Sequence, residues 1–201
     1  MKIKKLFSFV LAMGIMFSLS TTAMAYEKET LNGETVLELD EEGNAGATIG
    51  MVIYDNGSVE QYDLDVDLQA EEFYTLQEQI ENTSVKANGI TPKSAVVFHV
   101  GIEMVDETDY RMYYTATGIG LTKAAGYMAC KSTALLFPTV YHDEYFSNTR
   151  IIGVPRMEDE SDTFSLPSGT SKVKVGWHDV KITYQDGNID APDKYRTVSV
   201  G

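Results

Sequence analysis

Disulfides are excluded from this chain, because Cys130 is its only cysteine and one thiol cannot staple a fold internally. Positive charge is scarce too: 16 Lys and Arg stand against 30 Asp and Glu, a formal net charge of −14. That imbalance speaks against a basic face for nucleic acid or anionic lipid. Zinc chemistry finds no H-E-x-x-H and no C-x-x-C, and His99, His142 and His178 are widely scattered. No G-x-S-x-G nucleophile elbow occurs. The "GIG" at residues 118–120 lacks the further glycine spacing of a phosphate loop.

What is present begins with an export signature. Lys2, Lys4 and Lys5 precede the apolar run "LFSFVLAMGIMFSLS", and Ala23 and Ala25 flank Met24 in the A-x-A pattern of a cleavage site. Basic start, apolar middle and small-residue exit read as a bacterial-type signal peptide over residues 1–25, cleaved after Ala25. Residues 26–201 are then one secreted domain of 201 − 25 = 176 residues, with net charge −14 − 3 = −17. No later run is apolar enough to cross a bilayer, so no membrane partner is expected after cleavage.

Short strands punctuated by turns dominate the remainder. "NG" at 56–57 predicts a type I′ hairpin that sets Met51 against Tyr62 and Ile49 against Leu64. Leu68, Phe73, Leu76 and Ile80 lie on one stripe behind Asp67, which predicts a short amphipathic helix over 68–82 with Asp67 as its cap. Asp63 and Asp65 then belong to the solvated face of a strand. Residues 95–121 read as a second hairpin about "DETD", with Tyr110 and Tyr114 on one face and Tyr113 on the other. Residues 122–137 fit a helix or a buried strand; the stretch after Pro138 reads as loop until "TRIIGV", and "PRMEDESD" as an acidic surface loop. In "SKVKVGWHDVKITY" the apolar phase slips from odd to even numbers at His178-Asp179, the mark of a β-bulge. The pattern predicts a mainly β fold, an antiparallel sandwich or open barrel with that one helix.

Several constellations carry chemistry. Asp186, Asn188 and Asp190 in "DGNID" match the start of a calcium loop, since calcium takes several oxygen ligands from alternating short side chains. The later positions depart from the pattern, with Ala191 where glycine belongs and Thr197 where glutamate belongs. No other cofactor is suggested. Cys130 with a histidine would be the material of a thiol hydrolase. His178-Asp179 is not read as a base with its orienter, because neighbours on a strand face opposite ways. Glu103, inside the apolar "VGIEMV", is the acid best placed to be half-buried, as a carboxylate hydrolase needs. Tyrosines suit recognition because a flat ring stacks while its hydroxyl bonds. Tyr110, Tyr114 and Tyr141 are the ligand-binding candidates. The expected function is a secreted, non-catalytic β-sandwich that binds an extracellular glycan or protein. The alternatives are a hydrolase using carboxylates or Cys130, and a secreted antagonistic factor, bacteriocin-like or an inhibitor.

Overall fold

The computed structural model describes residues 30–31, 34–64, 92–185 and 187–201. They are mainly β, joined into one open, strongly curled sheet, a half-barrel. The strands are β1 (Thr30–Leu31), β2 (Glu34–Glu38), β3 (Asn44–Tyr54), β4 (Val59–Leu64) and β5 (Pro92–Met104). There follow β6 (Asp109–Ser132), β7 (Val140–Glu160), β8 (Phe164–Ser165), β9 (Lys172–Tyr184), β10 (Gly187–Ala191) and β11 (Lys194–Ser199). Their order is β1-β2-β11-β9-β6-β5-β3-β4, with β7 and β8 also on β6 and β10 on β9. All pairings are antiparallel except β2 with β11.

The long β6–β7 ribbon is the spine, and it is sharply bent. Leu121 pairs with Val154, yet Lys123 pairs with Thr149, so Arg150, Ile151, Ile152 and Gly153 bulge out opposite a single residue. Gly120 adopts φ 67° there, a region glycine enters without a Cβ penalty. A Cβ on Gly153 would lie 2.7 Å from the Gly120 backbone, so the corner needs both glycines. The bend divides the sheet into two limbs. The first holds β3, β4, β5 and the start of β6; the second holds the end of β6 with β9, β10, β11 and β2. Asn148 on one arm of β7 donates to the Glu158 carbonyl on the other at 3.2 Å, which fastens the fold-back.

The core fills the space between the limbs. Phe98 and Tyr114 come from the first, Phe146 and Trp177 from the second. Phe98 meets Trp177 edge-on, with centroids 5.1 Å apart, and Tyr114 stacks on Phe146 at 4.1 Å. Fully burying one such ring contributes about 1.5–3 kcal/mol. The Tyr110 hydroxyl donates to the Val200 carbonyl at 2.9 Å, joining the start of β6 to the residue after β11.

Five expectations need correction or completion. The Asn56-Gly57 hairpin forms one residue out of the expected register, with Met51 opposite Gln61 and Ile49 opposite Asp63. Gly57 takes φ 80° and Asn56 does not join it at positive φ; Gly57 N–H donates to the Tyr54 carbonyl and Tyr54 N–H to the Ser58 carbonyl, both at 3.0 Å. The loop therefore holds three residues instead of two. The Asn56 side chain accepts from the Ser58 amide at 2.9 Å instead of turning the chain itself. Residues after Pro138 that read as loop, and "PRMEDE" after them, form β7, and residues 122–132 continue β6 as strand. The helix expected over 68–82, with Asp65 and Asp67, lies outside the described residues, as do residues 1–25.

Candidate functional site

On the second limb, neighbouring strands present one continuous outer face. Cross-strand pairs share a face, and the register aligns Tyr145, Tyr127 and His178 in one row, with Ala129 paired to both Asp143 and Gly176 in the next. Tyr195 pairs with Gly176, and Lys131 with Lys174. Tyr127 and His178 lie parallel, 4.8 Å apart and 2° from coplanar, and Tyr145 leans on Tyr127 at 5.2 Å. Tyr145 is 55% exposed. The outcome is a ladder of three rings on an open sheet face.

Charge enters through the bulge. Asp179 is the one non-glycine at positive φ (53°) among the described residues. That twist places its carboxylate 3.1 Å from His178 Nδ1, while Asp143 of β7 sits 3.1 Å from Nε2. The strained turn is held from outside, because the Asp179 amide donates to the Asp193 carboxylate at 3.1 Å. Partial burial pulls the His178 pKa down, but the bonds to Asp179 and Asp143 outweigh it and the net shift is upward. A carboxylate at each ring nitrogen favours the protonated ring, in which both nitrogens donate.

Below this row the face changes character. The Lys131 ammonium lies 3.2 Å from the centre of the Tyr195 ring, a cation–π contact. Burial, with Lys174 beside it, holds Lys131 below its usual pKa. Burial, with Asp143, Asp193 and Asp179 nearby, pushes the Tyr195 phenol up to about 12. Lys131, Lys174 and Tyr195 floor a hollow of about 160 Å³ whose lip is the β6–β7 loop at Ala134, Leu135 and Pro138.

The residues singled out from the sequence fall elsewhere. Tyr110 and Tyr114 are core residues with buried rings, Tyr114 pushed up to about 12 by burial, and Tyr141 is half-buried, so the three share no exposed face. Asn188 and Asp190 are exposed on β10, with Asp190 3.7 Å from Lys181, and Asp186 lies outside the described residues. Among the described residues no group of three or more His, Cys, Asp or Glu is arranged to hold a metal. Cys130 is fully buried, and burial pushes its thiol up to about 12, far from a thiolate nucleophile. Glu103 is paired to Arg111 at 2.8 Å in an acidic groove of about 540 Å³ with Glu158 and Glu160.

Beside that groove, side chains on the outer face of the first limb bond one another. Thr48 Oγ1 bonds His99 Nδ1 at 2.8 Å, and His99 Nε2 meets the Tyr113 hydroxyl at 3.3 Å. Tyr113 lies over Gly101, where a Cβ would come within 2.4 Å of the ring.

The Asp143–His178–Asp179 cluster was not foreseen. The phase slip at His178-Asp179 was visible, and a bulge re-aims a side chain; that slip was the available signal that the two need not face apart. Nothing local in the sequence points to Asp143, which arrives from an edge strand that reads as loop. No family model, curated protein or solved structure matches the chain.

Proposed function

We propose that the protein is an exported, non-catalytic half-barrel that binds an extracellular glycan on the outer face of its second limb. One observation carries this reading: the ring ladder Tyr145–Tyr127–His178 stands on an open sheet face with Asp143 and Asp179 at its edge. The apolar face of a sugar ring lies against an aromatic ring. Its hydroxyls donate to carboxylates, whose lone pairs outnumber the bonds that His178 takes. The clamp on His178 fixes the ladder before any ligand arrives, so little ordering cost falls on binding. Among the described residues the first limb shows no such ladder, since Tyr113 is tied to His99 and packs over Gly101.

The test is retention of the chain on immobilised bacterial cell-wall and host polysaccharides, followed by Tyr145→Ala. Tyr145 is mainly exposed, so its removal leaves the fold intact. Loss of one stacking platform is expected to weaken retention about tenfold. Retention by no glycan, or retention untouched by Tyr145→Ala, would overturn the reading.

A further inference from the structure

The β6–β7 loop carries three consecutive apolar residues into solvent: Leu135, Leu136 and Phe137 are 74%, 85% and 89% exposed. Scattered exposed apolar residues are ordinary, but a contiguous apolar tip marks a contact. The surroundings identify what it contacts. In a chain rich in acid, residues 131–141, 163–178 and 195–200 contain no Asp or Glu. The sheet brings these segments together: Ser132 pairs with Val173, Lys131 with Val140, and Lys172 with Ser199. They supply Lys131, Lys172 and Lys174 on one face at the base of the tip, where Lys131 pairs with Lys174. Lys131 and Lys174 are direct cross-strand partners, and like charges placed opposite one another repel. Asp143 and Asp193, near Lys131, offset part of that cost. Tyr195 beside Lys131 and Tyr141 just past the loop add amphipathic rings at the same level, as at a membrane–water boundary.

We infer that the β6–β7 tip inserts Leu135, Leu136 and Phe137 into the surface of an anionic lipid bilayer, with Lys131 and Lys174 seated against its headgroups. The net charge of −14 averages over the chain, whereas a surface within about 10 Å feels only nearby charges at ordinary salt. Apolar burial at the headgroup boundary plus attraction to anionic lipid is the usual sum for an interfacial anchor. This contact is separate from the ring ladder and stands or falls apart from glycan binding.

The test is flotation of the full chain with vesicles of phosphatidylglycerol and phosphatidylcholine, and with phosphatidylcholine alone. The apolar run before residue 25 is common to wild type and variants, so differences between them report the tip. The double variant Leu136→Asp/Phe137→Asp is expected to lower partitioning at least about tenfold. Lys131→Gln and Lys174→Gln should each lower it about fivefold on anionic vesicles and leave neutral vesicles unaffected. Phe137→Trp adds an exposed indole to a chain whose only tryptophan, Trp177, is buried. Its emission should shift to the blue and be quenched by brominated lipid. An unquenched indole, or equal partitioning of wild type and double variant, overturns the inference. Vesicle indifference combined with capture of a soluble protein by the intact tip would do the same and assign the tip to a protein pocket.

Discussion

His99 and His178 occupy matched places, each on the outer face of one limb, each between two bonding partners and each against a tyrosine ring. Their partners differ. Thr48 and Tyr113 bring hydroxyls to His99, linking three strands of the first limb. Asp143 and Asp179 offer His178 carboxylates, which favour the imidazolium and leave a charged, ring-bearing surface open. One residue type thus bonds hydroxyls on one limb and carboxylates on the other, and the partner strands decide which. The glycines beneath obey the same division. Gly101 makes room for a ring of the cover, whereas Gly176 makes room for backbone, the Lys194 carbonyl lying 1.9 Å from where its Cβ would stand.

Breaking the floors should therefore give unequal results. Gly176→Ala forces β9 and β11 apart and is expected to cost about 3 kcal/mol, the upper end for overpacking. Gly101→Ala meets only the end of the Tyr113 side chain, which can swing aside, and should cost about 1 kcal/mol. Urea denaturation of the two variants measures both, and equal costs would mean that the two floors do not differ as described.

The clamped histidine gives a contrast in pH. Its folded pKa is raised, so its stabilisation is fully present below the unfolded value of about 6.5 and is lost as pH rises through the folded value. His178→Gln should therefore be most destabilised relative to wild type near pH 6, with the gap closing toward pH 9. Thermal melts across that window check it, and a gap that grows with pH would show that the ring is held neutral. The smallest effect belongs to the first limb. Tyr113→Phe removes one long hydrogen bond to His99 and keeps the ring over Gly101, so about 0.5 kcal/mol is expected. A larger loss by denaturant titration would mean that the hydroxyl, and not the ring, maintains the cover.

Local alternation made much of the β framework legible. The β5–β6 hairpin forms about the expected turn, and the structure buries Tyr110 and Tyr114 on one face with Tyr113 on the other. The bulge at Asp179 lies where the apolar phase slips. The register at Asn56-Gly57 was not legible, since the same dipeptide serves a two- or three-residue loop and the Asn56 side chain decides between them. β7 escaped because its side chains are mostly exposed, with only Phe146 and Met157 of its residues buried, so the alternation that marks a strand is absent. The candidate site depended on one hidden feature and one legible one. Asp143 comes from β7, and Asp179 owes its direction to the bulge. The tip was written plainly as "LLFP", but its meaning lies in which acid-free segments the sheet gathers around it, and that is long-range information.

The lone parallel pairing has a consequence for the order of events in the cell. β2 lies against β11, with Thr197 opposite Val36 and Val198 opposite Leu37. Nearly the whole described sequence must therefore leave the ribosome before β2 meets β11. Contacts so distant along the chain form slowly. Until then the edge of β2 at Val36 and Leu37 lacks its partner strand. The last strand therefore sets when the sheet is complete.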